Sequence, residues 1–235
     1  MRKSCLLLII GVALALVTSC KKKSVDDPVV PYPGDLMPLP YTETFEHNFG
    51  TYTVHNVLGD QEWEIDYKTA KMAGSIQDSA GTYINYANED WLISSPIIIQ
   101  NVDHAKIVMT YIGCYFDNIN DDVHMLASKD YSGSNIRSAA TWKDLNANLI
   151  GSSGWSSWNK IELSLDEYIG DTMYVAIRYT SNTSDAGTIE IKSISVEEGE
   201  PNDDPTPGGD VQTLPYVQDF DTEFGTYITK DVLCE

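Results

Sequence analysis

Tryptophans on a predicted loop are the side chains in this sequence whose type and spacing suggest ligand binding. The segment "GWSSW" follows a Gly/Ser-rich stretch and carries Trp155 and Trp158. Aromatic rings on surface loops can stack on sugar rings, because they offer a flat apolar face. We therefore predict Trp155, with Trp142 and Tyr131 from the 129–150 region, as ligand-binding residues. The residues that follow also predict a strand, and in that alternative Trp158 is turned inward.

Motifs for catalysis are missing from the sequence. It contains no H-E-x-x-H zinc motif, no G-x-S-x-G nucleophile motif and no G-x-x-x-x-G-K-[ST] phosphate loop. The four histidines do not have the spacing of metal ligands: His47, His55, His104 and His124. We predict that this protein is not an enzyme.

The N-terminus predicts export and a lipid anchor. The basic "MRKS" precedes an apolar run of 13 residues, which is typical of a secretory signal peptide and short for a membrane span. The run ends in "LVTSC", which resembles the lipobox of bacterial lipoproteins, so Cys20 is the predicted lipidation site. We expect residues 1–19 to be the signal peptide and the mature chain to be an outer-membrane lipoprotein, on either face of that membrane. The alternative is ordinary cleavage with an unmodified Cys20.

The charge of the chain narrows the choice of partners. Lys and Arg total 15 against 35 Asp and Glu, a net charge of −20. Removal of residues 1–19 takes away Arg2 and Lys3 and leaves 13 basic residues against 35 acidic ones, or −22. A nucleic-acid partner requires a basic surface, so we predict none. Cys114 lies in an apolar strand pattern and is expected to be a small buried residue without a disulfide.

A repeat defines the predicted organisation. Residues 39–58 match residues 214–233 at a constant offset of 175, with ten identical positions that include Phe45/Phe220 and Tyr52/Tyr227. The predicted order is a Pro-rich tether (20–38), one complete module (39–196), an acidic Pro/Gly linker (197–213) and the truncated start of a second module (214–235). Both connecting segments lack the apolar content that folding needs.

The complete module has the sequence pattern of a β-protein. Nine short runs rich in aromatic and β-branched residues alternate with Gly/Ser turn signals, from "YTETF" to "TIEIKSISV". Within one of them Ile161, Leu163 and Leu165 share a face, which period two predicts for a half-buried strand. Trp63 and Trp91 lie inside strand patterns and are predicted core residues. The fold class is all-β, a two-sheet antiparallel sandwich of the jelly-roll type.

Several of these segments together resemble a known family. "YTETFEHNFGTYT", "QEW", "NEDWLISSPIII" and "MYVAIRYTSN…GTIEIKSISV" are similar to the choice-of-anchor J domain family, whose jelly-roll modules are related to cleaved-adhesin domains and more distantly to MAM domains. The most specific piece is "EDWLISSP", in which Ser94 and Ser95 stand where the family has one small residue before the proline. The last strand also differs, because Lys192 replaces an acidic residue.

The resemblance implies a structural calcium ion near the first strand. Calcium prefers six to eight hard oxygen ligands. Glu43 and Glu46 match the first-strand acids of the family, and Glu190 lies two residues from Lys192 in the last strand. These three glutamates are the expected ligands, although Lys192 would repel a cation.

The sequence leads to a functional expectation with open alternatives. The expected function is a non-catalytic, lipid-anchored adhesion module of the cell envelope that binds glycan or protein. The alternatives are a structural spacer domain and an accessory module of a glycosidase or peptidase.

Overall fold

The computed structural model describes residues 34–202 except 134, 135, 137–139 and 156. The predicted signal peptide, Cys20, the predicted tether up to residue 33 and the predicted second copy at 214–235 lie outside the described residues. Within them the chain forms strands β1 (Met37–Pro38), β2 (Tyr41–Thr44), β3 (Thr53–Leu58), β4 (Glu64–Asp66), β5 (Thr69–Ala73), β6 (Ser75–Gln77), β7 (Tyr83–Asn85), β8 (Asn88–Ile93), β9 (Ile97–Ile98), β10 (Ala105–Cys114), β11 (Val123–Ser128), β12 (Lys143–Asp144), β13 (Asn159–Ser164), β14 (Thr172–Ser181) and β15 (Thr188–Glu198).

Two sheets contain all but two of these strands. The first sheet has the order β1-β9-β14-β11-β12, and β8 pairs with β14 on one side and β3 on the other. The second sheet has the order β13-β10-β15-β5-β4, with β2 also paired to β15. β6 and β7 form a separate hairpin. Every pairing is antiparallel except that of β1 with β9.

The inner faces of the two sheets share one hydrophobic core. The first sheet contributes fully buried side chains such as Leu92 and Ile177, and the second contributes Met109, Ile189 and Ile194. Alternation along each strand places one side chain in two in this layer, as it does in sandwiches generally. The predicted two-sheet, all-β sandwich is confirmed.

The predicted strands and core tryptophans agree with the structure. Each of the nine predicted runs contains a strand, and Trp63 and Trp91 are both buried. Met37, two residues before the predicted start of the module, is buried and pairs with Ile97. Strand β15 also continues to Glu198, two residues past the expected boundary.

Helical structure in the described residues is limited to two short segments. An α-helical turn, α1, spans Ile119–Asp122, and its N-cap Asn118 accepts a hydrogen bond from the Asn120 backbone. A 3-10 turn spans Asp166–Tyr168. Neither helix is long and apolar enough to cross a membrane.

The two serines of "EDWLISSP" lie between β8 and β9. Ser94 Oγ accepts a hydrogen bond from the Val175 backbone N–H at 2.9 Å. Ser95 Oγ donates to the Thr51 carbonyl at 2.9 Å. Both serines are buried, and these hydrogen bonds satisfy their hydroxyl groups.

Cys114 has the environment that the sequence predicts. The residue is buried at the end of β10, its thiol is free, and Sγ donates to the Gly154 carbonyl at 3.3 Å. Burial raises the pKa of the Cys114 thiol, which makes it a poor nucleophile.

Candidate functional site

The outer face of the first sheet is covered by the segment that contains two predicted ligand residues. Tyr131 is 8% exposed and packs with Trp142 over Trp91 in a second hydrophobic cluster. The Trp142 ring centroid lies 5.4 Å from that of Trp91 and 5.3 Å from that of Tyr131. Trp142 Nε1 also donates to the Ile136 carbonyl at 3.1 Å. The structure therefore gives Tyr131 and Trp142 a packing role rather than an open binding face.

The outer face of the second sheet carries an open groove of about 220 Å³. Strands β2 and β15 pair there, with Thr44 opposite Ser193. The turn between β4 and β5 and the residue before β13 supply two aromatic rings. The lining residues are Thr44, Glu46, Tyr67, Lys68, Thr69, Trp158, Lys192 and Ser193.

Tyr67 and Lys68 form a two-residue turn that is unfavourable for their residue types. Asp66 pairs with Thr69 across the hairpin, so only these two residues connect β4 to β5. Their φ angles are 46° and 64°. Such turns favour Asn-Gly, because β-carbons disfavour positive φ. The turn leaves the Tyr67 side chain 86% exposed at the groove. Strained residues of this kind concentrate at functional sites.

Trp158 faces outward at the groove. The residue is 41% exposed, and Lys192 Nζ lies 5.7 Å from its ring centroid. The alternative in which Trp158 is turned inward is therefore wrong. The physical reason is the alternation of β13: Ile161 and Leu163 pack on the core, so residues of even number point the other way.

Trp155 is exposed, as its predicted role requires. Its side chain is 54% exposed and meets the exposed Tyr115 ring edge to face, with centroids 6.4 Å apart. Three residues of chain span at most about 11 Å, so Trp155 lies within that distance of Trp158. Ligand binding by Trp155 stays a prediction.

The three predicted calcium ligands have different surroundings in the structure. Glu43 Oε2 accepts hydrogen bonds from the backbone N–H of Thr51 at 2.9 Å and from its hydroxyl at 3.2 Å. Glu46 lies in the groove, and Glu190 is buried beside Lys71 in the next strand. Burial raises the pKa of Glu190, and the charge of Lys71 opposes this. Residues 34–202, as far as described, hold no group of three His, Cys, Asp or Glu side chains suited to a metal. The calcium expectation stays a prediction.

A larger polar pocket of about 350 Å³ lies at the end of β11. His124 Nδ1 is 2.8 Å from Asp144 Oδ2 there, and Asn120, Asn146 and Asn148 complete its polar lining. A His–Asp pair activates a nucleophile only if one is adjacent. The residues that line this pocket include no serine, threonine, cysteine or lysine, so no side-chain nucleophile of these types lies beside the pair.

Comparisons with known proteins identify distant structural similarity. The K1 cleaved adhesin domain of Lys-gingipain from Porphyromonas gingivalis is 16% identical over 68% of this chain and 99% of its own length, with a TM-score of 0.43. The K3 cleaved adhesin domain of the same protein is 14% identical over 68% of this chain and 98% of its own length, with a TM-score of 0.48. A xylan-binding domain, CBM22-1, from Paenibacillus barcinonensis is 8% identical over 72% of this chain and 99% of its own, with a TM-score of 0.36. No protein-family model matches the sequence, and no curated protein is a significant match. At these TM-scores the similarity carries no argument about function.

Proposed function

We propose that this protein is a non-catalytic binding module that holds a glycan in the groove on the outer face of the second sheet. One observation carries the proposal: the exposed rings of Tyr67 and Trp158 line one groove, and Tyr67 is held there by an unfavourable turn. Aromatic rings that remain exposed on a folded module are suited to stacking on sugar rings.

The other groups of the groove complement a sugar. The hydroxyl groups of Thr44 and Ser193 line it, and they can both donate and accept hydrogen bonds. Its volume is below the ~300–1,000 Å³ of sites that enclose a small molecule. We infer that the groove holds one segment of a longer chain that lies across the sheet.

The loss of one ring tests this proposal. Trp158→Ala is expected to weaken glycan binding by roughly tenfold or more, because it removes a stacking surface central to the groove. Binding would be measured on a glycan array and then by calorimetry with the strongest ligand. Tyr83→Ala is the matched control, since Tyr83 is 68% exposed in the separate β6–β7 hairpin. Equal losses in the two variants, or no glycan bound by the wild type, would contradict the proposal.

We also propose that the module belongs to the choice-of-anchor J family and is held at the bacterial outer membrane by acyl chains on Cys20. The support is "LVTSC" after the apolar signal and the match of "EDWLISSP" to the family segment. Two acyl chains give stable anchoring where one does not.

The anchor has its own test. Cys20→Ala is expected to move the protein from the membrane fraction to the soluble fraction, because the acceptor thiol is lost. Fractionation followed by detergent partitioning would measure this. Unchanged partitioning of the variant into detergent would show that Cys20 is not the anchor.

A further inference from the structure

We propose that the groove selects anionic glycans, such as those with uronic acids or sulfate esters, over neutral ones. This inference rests on the proposed glycan-binding function and names the ligand class of the same site. Its basis is that two lysines without a carboxylate partner, Lys68 and Lys192, line the groove.

Most lysines of this acidic protein are neutralised by carboxylates. Five of the seven lysines in the described part of the chain lie within 4.0 Å of an Asp or Glu oxygen: Lys71, Lys106, Lys129, Lys143 and Lys160. Lys68 and Lys192 are the two described lysines without such an ion pair. Both are exposed, and both lie at the same groove.

A shared location of the unpaired lysines needs an explanation in a chain with 35 acidic residues and 15 basic ones. Acidic side chains are abundant enough to pair with every lysine. The groove instead contains a single carboxylate, Glu46, whose nearest ionic partner is His47 at 3.9 Å. Two positive charges against one negative charge leave the groove locally cationic, in contrast to the rest of the surface.

The position of each lysine suits a ligand that also stacks on the rings. Lys192 Nζ lies over the Trp158 ring, 5.7 Å from its centroid, so its charge is held against that ring. Lys68 follows Tyr67 directly in the strained turn, and both residues line the groove. A lysine acts on a carboxylate or sulfate as a point charge.

An array with matched neutral and anionic glycans tests the inference. One arm carries neutral xylan and galactan oligosaccharides, a second carries oligogalacturonides and glucuronoxylan fragments, and a third carries sulfated oligosaccharides. The wild type is expected to bind one of the two anionic arms best, and raised salt should weaken that binding. Lys68→Gln with Lys192→Gln is expected to weaken it by roughly tenfold, while Lys143→Gln, an ion-paired lysine outside the groove, leaves it unchanged.

The outcomes separate the two proposals. Equal or tighter binding of the neutral arm overturns the charge preference and leaves glycan binding standing. If the double lysine variant still binds the anionic glycan as tightly as the wild type, the charge preference is also overturned, because other residues would then recognise the negative charge. Binding to no arm contradicts the glycan-binding function itself.

Discussion

Replacing the turn by Tyr67→Asn and Lys68→Gly is expected to raise the free energy of unfolding by roughly 1–3 kcal/mol while glycan binding is lost. Both native residues have positive φ angles, and Asn-Gly is the pair that a two-residue hairpin turn of this kind favours. Little packing is lost, because the Tyr67 side chain is 86% exposed. Binding falls because one ring and one ammonium group leave the groove. Urea unfolding and calorimetry with the array ligand would measure the two effects.

The variant is expected to gain stability and lose binding, whereas a generally disruptive mutation lowers both. Tyr83→Asn is the control for stability, because it replaces an exposed tyrosine in a strand where φ is not positive. We expect no gain from it. A lower stability of the Asn-Gly variant would show that the native turn is not strained. Retained binding would show that the turn residues do not contact the ligand.

The free energy of unfolding is expected to fall by about 3 kcal/mol between pH 4 and pH 7 because of Asp90 alone. Burial, assisted by the charge of Glu62, raises the pKa of Asp90 from 3.8 to about 7, against a hydrogen bond from Asn88. Its Oδ1 accepts no hydrogen bond from the described residues. Between these pH values the folded protein keeps a proton that the unfolded chain has lost. The contribution of Asp90 to stability is therefore complete below pH 3.8 and declines until the pH passes about 7.

Asp90→Asn provides the matched variant for this pH dependence. The amide has nearly the same shape and stays neutral, so the variant should be more stable than the wild type at pH 8 and similar to it at pH 4. Asp122 still contributes a slope, because burial and the charge of Asp185 raise its pKa to about 7. Chemical unfolding at several pH values would measure both curves. Parallel curves for the two proteins would show that Asp90 is not responsible.

Local patterns in the sequence were sufficient to predict the sandwich and much of its core. Trp63 alternates with Ile65, and this pattern predicts the burial of Trp63 once a sheet forms. Trp91 and Leu92 are adjacent in β8 and face opposite sides of the sheet, so the burial of Trp91 depends on the segment that covers the outer face. Alternation in β13 also predicts the orientation of Trp158. Ile161 and Leu163 face the core, so Trp158, an odd number of residues away from each, faces outward. Trp158 directly precedes the first residue of β13, and extending the alternation by that one residue places its ring on the outer face.

The candidate site was much less predictable, because packing between distant segments determines it. The sequence around Tyr131 and Trp142 is typical of a surface loop, but both side chains pack on Trp91, which lies 40 or more residues earlier in the chain. Tyr67 and Lys68 gave no turn signal, since neither residue is typical of a tight hairpin. The turn of Tyr67 and Lys68 is unfavourable for its residue types and lies at the candidate site, and sequence patterns are least informative at such places.

The pairing of β2 with β15 has a consequence for how the module can be connected to other chains. Tyr41 and Val196 are partners across these antiparallel strands, so a segment close to the start of the sandwich and one close to its end lie side by side in the second sheet. Domains with adjacent ends tolerate insertion into a host loop and circular permutation. The sandwich is therefore suited to insertion into a surface loop of an unrelated protein, with both junctions near these two strands. The groove would be carried with it, since every residue that lines the groove lies between Tyr41 and Val196.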